Sequence, residues 1–301
     1  MGFKPQSNFW QCGPFALKHA LAILGIFADE REIARIAGTD RLSGTDELQL
    51  ARAARRFDCD LLSVRRHEPI EARHDLISYL KQGIPCLLCA YEWSHWVTVV
   101  NEARQRFVVL DSRDDAVLRI CTWTELKSFW VFHRPDEVNP RIEETLYDFH
   151  PVVPRFRAPA RADVSLIRAR YLRRPENREL AKQWDNYVED LLAICRPRTP
   201  LSSNVLSLGQ FLQRHGGMMV DQVAYWHGWI EKRRARKVLD YLRFVADTYG
   251  LVIHEDSEKR AIAGITALLT LWAGGRYGVT PVYQEARARR PRRRKKSPDP
   301  R

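Results

Sequence analysis

The sequence predicts an α+β fold, in which a first half packs helices on an antiparallel sheet and a second half is mainly α-helical and basic. Three observations support this prediction. Apolar residues repeat at helical spacing as far as residue 82. Five short apolar segments, separated by turn residues as strands are, then follow up to residue 133. Helical spacing returns after residue 160, where basic residues outnumber acidic ones.

The first half contains four predicted helices, at residues 15–27, 29–37, 45–57 and 73–82. Thr45 suits a helix start, because its hydroxyl can accept from a free backbone N–H while Glu47 complements the helix dipole. The predicted strands cover residues 84–91, 95–101, 106–111, 117–121 and 129–133. Helices followed by consecutive short strands predict a domain, residues 1–135, that is complete before the prolines begin.

Residues 136–160 lack a clear period, and five prolines fall between residues 135 and 159. This segment is therefore predicted to be a proline-rich linker. Residues 161–284 are predicted to form a mainly helical, basic domain, with helices at 163–173, 176–195, 206–215, 220–227, 231–249 and 259–273. Residues 285–301 are basic, contain proline and are predicted to be a disordered tail.

Charge divides the chain in two. Residues 1–150 carry 19 basic and 22 acidic side chains, a net charge of −3, whereas residues 151–301 carry 30 and 15, a net charge of +15. The tail at residues 285–301 contributes +7 of that charge. Any polyanion partner, such as a nucleic acid, is therefore expected to bind the second half of the chain and not the first.

The six cysteines are scattered, and five of them lie in apolar or helical stretches. With no apolar run long enough to span a membrane and no secretory signal pattern, we expect a cytoplasmic protein with free thiols. Cys86 and Cys89 form a C-x-x-C inside an apolar, strand-like segment. Because no second pair has ligand spacing, we expect core packing there, with a redox or zinc site as the alternative. No cofactor or metal is expected.

Cys12 is the candidate nucleophile. Gln11-Cys12-Gly13-Pro14 stands directly before a predicted helix, and Pro14 suits a first helical turn because it lacks an N–H. A helix N-terminus and a nearby histidine both favour the thiolate, which is the attacking form of the side chain. Gly13 is expected to leave the approach to the sulfur open, and the backbone N–H of Cys12 is expected to point to a developing oxyanion.

Gln6, six residues before Cys12 in the sequence, is the candidate for the second donor to that oxyanion. A tetrahedral intermediate needs a second hydrogen-bond donor, and a neutral carboxamide is a side chain that such sites use. The alternative interpretation is an ordinary surface glutamine.

His95 is the candidate general base, at the start of the apolar strand Ser94-His95-Trp96-Val97, and the next strand ends at Asp111-Ser112. If residues whose numbers sum to an even total pair across this hairpin, His95 and Asp111 share a sheet face as opposite or diagonal neighbours. Asp111 can then hold the imidazole in the useful tautomer. An odd register would put them on opposite faces. Asn101, assigned to the His95 face, is the alternative orienting residue.

This order of residues resembles peptidase family thirty-nine of the cysteine peptidases, whose papain-like domains cut leader peptides after a double glycine. The motifs are Gln-x5-Cys-Gly, a strand opening His-Trp-Val, a strand ending Asp-Ser, and Gly83-Ile84-Pro85 before the first sheet strand. The resemblance implies a papain-like fold over residues 3–133, a peptide or protein substrate, and catalytic roles for Gln6, Cys12, His95 and Asp111. Gln11 departs from the family's frequent Asp, and no Walker A sequence is present, so soluble, transporter-free relatives are the better comparison.

The second half leaves its function open. Residues 220–253 loosely resemble a winged helix-turn-helix, with Lys232, Arg233 and Arg234 near the start of the second helix. Tyr225 and Trp226 are expected in the core. Two functions therefore remain: a cysteine hydrolase working through a Cys-His-Asp triad and a thioester, or a nucleic-acid- or partner-binding protein with an inactive peptidase-like module.

Overall fold

The computed structural model describes residues 2–114, 116–135, 143–156, 162–198, 202–227 and 230–278. The predicted disordered tail, at residues 285–301, lies outside these ranges. The first half contains the helices α1 (Cys12–Ile23), α2 (Glu30–Ala37), α3 (Glu47–Arg56), α4 (Pro69–Lys81) and α5 (Trp123–Trp130). The first four confirm the predicted helices, and the cap of α3 is Asp46 instead of Thr45, in a capping box with Gln49.

The main sheet has eight strands, and every pair in it is antiparallel. Its strands are β1 (Cys59–Leu61), β2 (Val64–Arg66), β3 (Cys86–Ala90), β4 (His95–Ala103), β5 (Arg106–Leu110), β6 (Leu118–Thr122), β7 (Phe132–Pro135) and β8 (Glu143–Pro154). The order is β1-β8-β3-β4-β5-β6, with β2 and β7 also paired to β8. Helices packed on an antiparallel sheet confirm the α+β class of the first half.

Strand β8 lies where the sequence predicts a linker, and for residues 143–154 that prediction is wrong. The strand pairs with β3 on one side and with β1 and β2 on the other, and its first residues pair with β7. Pro151 lies opposite the break between β1 and β2, since Leu61 pairs with Val152 and Val64 with Phe149. Its missing N–H therefore costs the sheet no ladder hydrogen bond, which is why a central strand tolerates the proline.

Helix α5 replaces the start of the strand predicted at residues 129–133. Thr122 and Glu125 form a capping box at its N-terminus, a local signal that competes with the strand-like run of aromatic residues. In consequence, Phe129 and Trp130 are helical, and β7 begins only at Phe132.

The sheet buries apolar side chains on both faces. Helix α1 covers one face, where the Thr98 hydroxyl donates to the Ala16 carbonyl at 2.8 Å. On the other face, Leu76 of α4 and Leu126 of α5 pack in one cluster with Val97 and Val99. With both faces covered, the position of α1 relative to β4 is fixed by packing.

The second half contains the helices α6 (Leu166–Leu172), α7 (Arg178–Lys182), α8 (Trp184–Leu192), α9 (Leu208–His227), α10 (Lys232–Tyr249) and α11 (Glu258–Tyr277). Its apolar cluster continues into the first half, where Ile23 of α1 and Val108 and Leu110 of β5 belong to it. The two halves therefore share one core.

A small sheet contradicts the winged-helix interpretation. It consists of β9 (Arg196–Pro197), β10 (Val205–Ser207) and β11 (Leu251–His254), with β11 in the centre. Both partners of β11 precede it in the chain, and α11 follows it after one 3₁₀ turn. A wing would require a hairpin at this point. The two helices predicted at 206–215 and 220–227 are also one helix, α9.

Within the described ranges, no helix combines the length and the apolar character that crossing a bilayer requires.

A buried ion-pair network joins the two halves. Lys18 of α1 is fully buried, and its Nζ lies 2.8 Å from Glu30 Oε2 and 3.2 Å from Asp185 Oδ1 of α8. Burial raises the pKa of both carboxyls, but the hydrogen bond and charge of Lys18 at Glu30, and its charge at Asp185, outweigh that and hold each pKa at about 2. Removing one member of such a network leaves uncompensated buried charge.

We expect Lys18→Met to lower the free energy of unfolding by about 3 kcal/mol at pH 7, the cost of breaking a buried pair. Since both carboxyl pKa values lie below those of the unfolded chain, the stabilisation is present above pH 4.5 and is lost as the pH falls to about 2. The difference between wild type and variant, measured by urea denaturation from pH 7 to pH 2, should therefore shrink below pH 4.5. A difference that does not change with pH would contradict the assignment.

Candidate active site

Cys12 lies at the junction of two helical segments, where the 3₁₀ turn Phe9–Gln11 runs directly into α1. Its side chain is buried, with 6% of the residue exposed, and lines a cleft. That Gly13 leaves the approach to the sulfur open stays a prediction, and the structure adds a packing role for this residue. A Cβ on Gly13 would lie 2.9 Å from Thr45 Cβ, so glycine is required there for close packing against the loop before α3.

The six cysteines all lie in the described part of the chain, and Cys12 differs from the other five in its pKa. Burial raises the pKa of the Cys12 thiol, but a hydrogen bond with His95, backbone N–H groups of Trp96 and Gly13 and the charge of His95 outweigh it and lower the pKa. Burial raises the pKa of the other thiols, to about 12 at Cys59 and Cys195. The same holds for Cys86, Cys89 and Cys121. Among the six cysteines, Cys12 is therefore the one whose surroundings favour the thiolate.

His95 is the first residue of β4 and is 1% exposed. Its Nε2 lies 2.7 Å from Asp111 Oδ1, which leaves Nδ1 as the ring nitrogen for Cys12. Burial lowers the pKa of the imidazole, but the hydrogen bonds and charges of Asp111 and Cys12 raise it above its ordinary value. A thiol with a lowered pKa beside an imidazole with a raised pKa favours the thiolate–imidazolium pair.

Asp111, 1% exposed, has partners that the sequence did not identify. The Arg113 backbone N–H donates to Oδ1 at 3.0 Å, and Arg119 Nη1 donates to Oδ2 at 3.3 Å. Arg119 Nη1 also donates to the Tyr91 hydroxyl at 2.7 Å, and the Tyr91 ring lies 6.1 Å from that of His95. Burial raises the pKa of Asp111, but His95, Arg113 and Arg119 lower it, so the carboxylate stays ionised beside the imidazole.

A one-residue bulge in β4 places His95 and Asp111 on the same face. At the hairpin end, Ala103 pairs with Arg106 across the two-residue turn Arg104-Gln105, which is the odd register. The register shifts between Val99 and Asn101, and Thr98 then pairs with Leu110, which is the even register. The even register, which His95 and Asp111 need to share a face, is thus present at the site, and the odd alternative is present at the turn. Asp111 comes opposite Val97, diagonal to His95.

The same bulge moves Asn101 to the other face of the sheet. Asn101 pairs with Val108, whereas Val99 pairs with Val109, and neighbouring residues of β5 point to opposite faces. Asn101 therefore lies on the face opposite to His95, and the prediction that it could orient the imidazole is wrong.

Gln6 is half-buried and is fixed by Ser112, the residue after Asp111. The Gln6 backbone N–H donates to the Ser112 carbonyl at 2.8 Å, and the Ser112 hydroxyl donates to Gln6 Oε1 at 2.6 Å. Gln6 Nε2 donates to the Asn8 carbonyl at 3.0 Å. Since an amide nitrogen carries two hydrogens, one remains for a second acceptor. The Asp-Ser pair thus connects the histidine to the glutamine, a role of Ser112 that the sequence did not reveal.

The cleft beside Cys12 has a volume of about 190 Å³ and is lined by Phe9, Trp10, Leu42, Gly44, Trp93 and Trp96 among others. Phe9, Leu42 and Trp93 are 80%, 97% and 36% exposed. A second cavity of about 250 Å³ shares Ser43, Thr45, Trp93 and Trp96 with the cleft. Exposed apolar side chains around a buried thiol are typical of a site that binds another molecule.

Cys86 and Cys89 are both buried, as the core-packing interpretation requires. They are three residues apart on β3, so their side chains point to opposite faces of the sheet and pack in different apolar clusters. The two thiols therefore cannot share a metal or form a disulfide with each other.

The basic segment at the start of α10 is partly engaged within the protein. Lys232 pairs with Asp221 at 2.8 Å, Arg234 Nη1 donates to the Tyr277 hydroxyl at 3.0 Å, and Lys237 Nζ donates to the Glu176 carbonyl at 3.2 Å. Contrary to expectation, Tyr225 and Trp226 are 81% and 55% exposed. Nucleic-acid or polyanion binding by the second half stays a prediction.

No protein-family model and no curated protein matches the chain. Several solved structures do. The peptidase domain of Streptococcus ComA, a bifunctional ABC transporter involved in a quorum-sensing pathway, is 14% identical, with 50% of this chain and 96% of that chain covered and a TM-score of 0.39. A double-glycine motif protease from an AMS/PCAT transporter, in complex with the leader peptide, is 18% identical, with 50% and 90% covered and a TM-score of 0.36.

A C39-like peptidase from Bacillus anthracis is 12% identical, with 50% of this chain and 93% of that chain covered and a TM-score of 0.34. All three are peptidases by their descriptions, and one of them is a double-glycine motif protease. At such identities and TM-scores the likeness assigns no activity. The support for an activity comes from the side chains around Cys12.

We expect iodoacetamide to alkylate Cys12 before the other five thiols at pH 6–7. In His95→Ala the pKa of Cys12 should rise, because burial then acts without its main opposing partner, and alkylation at pH 6 should slow by roughly tenfold or more. In Asp111→Asn the alkylation rate should fall by less, since the imidazole remains. The test measures the alkylation rate of each cysteine from pH 5 to pH 10, with the modified residue identified by peptide mass. Equal Cys12 rates in wild type and His95→Ala would show that His95 does not activate Cys12.

Deletion of Val100 tests the bulge. Without the extra residue the odd register of the turn should extend to the end of β5 and turn Asp111 to the face opposite His95. We expect the deletion variant to alkylate Cys12 about as slowly as Asp111→Asn does, because in both variants the imidazole remains and the carboxylate beside it is lost. Val100→Ala, which keeps the residue count, serves as the control and should retain the wild-type pH profile. A deletion variant that is folded by circular dichroism and keeps that profile would contradict the role of the bulge.

Proposed function

We propose that the protein is a cysteine hydrolase of the peptidase or amidase type, with Cys12 as nucleophile, His95 as general base and acid, and Asp111 as the residue that orients His95. One observation carries the proposal: His95, which the buried carboxylate of Asp111 holds at 2.7 Å, lies beside Cys12 and lowers the pKa of that thiol. A thiolate of this kind is a nucleophile at neutral pH.

In the first step the Cys12 thiolate attacks a substrate carbonyl carbon, and the π-electrons move to the carbonyl oxygen. The backbone N–H of Cys12 and the free Nε2 hydrogen of Gln6 would donate to that oxyanion. When the tetrahedral intermediate collapses, the bond to the leaving amine breaks and the His95 imidazolium gives its proton to the amine. The acyl group is then held as a thioester on Cys12.

In the second step His95, now neutral, takes a proton from water at Nδ1, and the hydroxide formed attacks the thioester. Collapse of this intermediate releases the acid and restores the thiolate and the imidazolium. Asp111 keeps Nε2 protonated throughout, so that Nδ1 stays available for both transfers. An amine in place of water would give acyl transfer by the same sequence of steps.

A peptide or protein is the proposed substrate. The apolar side chains of Phe9, Leu42 and Trp93 around the cleft would cover apolar side chains next to the bond that is cut. All six cysteines are free thiols, which supports the cytoplasm as the proposed compartment.

A second candidate is a nucleic-acid- or partner-binding protein whose peptidase-like half is inactive. Tyr225 and Trp226 favour it, since both are exposed at the end of α9, next in sequence to the basic start of α10. Aromatic rings near basic side chains can stack on bases of a single strand. An inactive module, however, would have no need for a thiol with a lowered pKa.

Gln6→Ala separates the two candidates. If Gln6 donates to an oxyanion, acylation of Cys12 by p-nitrophenyl acetate should slow by roughly 100-fold, as it does when one such donor is lost. Alkylation by iodoacetamide should change little, because it forms no tetrahedral oxyanion. The measurement is the pair of rates on the same variant, with Cys12→Ala as the background for both.

Selective loss of acylation would support the hydrolase. Full acylation in Gln6→Ala would remove Gln6 from the site, and a wild type that reacts with the ester no faster than Cys12→Ala would contradict the hydrolase altogether. Loss of both rates together with a lower melting temperature would make Gln6 a structural residue.

A further inference from the structure

The segment that carries Gln6 is held by the second half of the chain. Phe3 is 5% exposed, and its ring stacks on that of Trp184 of α8, with centroids 5.8 Å apart and an interplanar angle of 5°. The ring also lies 6.2 Å from that of Tyr249 of α10. Trp184 Nε1 donates to the Tyr249 hydroxyl at 2.9 Å, so the two aromatic residues that receive Phe3 are themselves fixed.

Residue 2 adds a second attachment to α8. The Gly2 backbone N–H donates to Asp185 Oδ1, the carboxylate that also pairs with Lys18. A Cβ on Gly2 would lie 3.0 Å from Trp184 Cδ1 and 3.0 Å from Val188 Cγ2. The backbone at residue 2 is therefore in close contact with α8, and even a methyl group there would push the two apart.

Only residues 4 and 5 separate this attachment from Gln6. Lys4 Nζ pairs with Glu30 of α2 at 3.1 Å, and Pro5 has a restricted φ. At the other end, Gln6 is bound to Ser112 through both its backbone N–H and its side chain. A short segment fixed at both ends transmits a displacement of one end to the other, because few backbone dihedrals lie between them.

We propose that the helical second half positions the oxyanion donor: Phe3 and α8, through Trp184 and Asp185, hold the segment 2–6 so that the Gln6 carboxamide faces the reacting carbonyl. This inference rests on the proposed hydrolase function. Phe3 and Trp184 are positioning residues, since they act through Gln6 and touch no reacting atom. The second half is thereby part of the catalytic unit.

The test is a double-mutant cycle on the full chain between Phe3→Ala and Gln6→Ala, with p-nitrophenyl acetate acylation and iodoacetamide alkylation as readouts. Phe3→Ala alone should slow acylation by roughly ten- to 100-fold, the effect of displacing a catalytic group by about 1 Å. Its alkylation rate should stay within about twofold of wild type, since Cys12 and His95 sit on α1 and β4. In the Gln6→Ala background, Phe3→Ala should not slow acylation any further, because the carboxamide that Phe3 positions is already absent.

Phe211→Ala is the matched control, a truncation of a fully buried phenylalanine in the same apolar cluster, on α9. It should lower the melting temperature as Phe3→Ala does without changing acylation of the folded protein. If Phe3→Ala does not fold, Phe3→Leu keeps most of the apolar volume and removes the ring stack, and the same selective loss is expected.

The outcomes distinguish this inference from the function on which it rests. Wild-type acylation no faster than that of Cys12→Ala overturns both. Cys12-dependent acylation that Phe3→Ala or Phe3→Leu leaves unchanged overturns the positioning role alone. Equal losses from Phe3→Ala in the presence and absence of Gln6, or an equal loss in Phe211→Ala, would also overturn it, because the effect would then be general destabilisation.

Discussion

The register between β4 and β5 is the constraint on which the candidate site depends. A two-residue turn at Arg104-Gln105 closes the hairpin in the odd register, and Val100 then converts it to the even register before the strands reach the site. Because side chains alternate with a period of two, one extra residue exchanges the faces of everything beyond it. A tight hairpin and a buried histidine–aspartate pair are compatible in this chain only through that bulge.

Burial and charge compensate each other in a series of neighbouring groups. Desolvation opposes ionisation of Cys12, His95 and Asp111, and in each case the partners outweigh it. The series of compensating groups ends at the edge of the buried region, where the Arg119 side chain and the Arg113 backbone N–H donate to Asp111. Ion pairing also outweighs burial in the network of Lys18 with Glu30 and Asp185. Lys18 lies on α1, six residues after Cys12. One helix therefore carries the candidate nucleophile at its N-terminus and an ion pair to the second half further along.

Because the two halves share one apolar core, the second half is not a separate domain appended to the first. Ile23, Val108 and Leu110 of the first half pack in one cluster with α8, α9 and α10. The segment at residues 2–6 contacts Trp184 through Phe3 near one end and Ser112 through Gln6 at the other. Cores of this density transmit displacements, so changes in the helical half are expected to reach the site through packing.

The sequence by itself determined the features that depend on near neighbours in the chain: the first four helices, most strands, and the placement of Cys12 at a helix start and His95 at a strand start. Hydrophobic period and capping residues are sufficient for these. Only the tertiary structure decided the bulge at Val100, the bonds from Ser112 to Gln6, the displacement of Asn101, and the use of residues 143–154 as a central strand despite two prolines. Each of those features depends on a partner from a distant part of the chain or on the register between two strands. The register is selected by side-chain packing in the folded protein, which the sequence of a single strand does not specify.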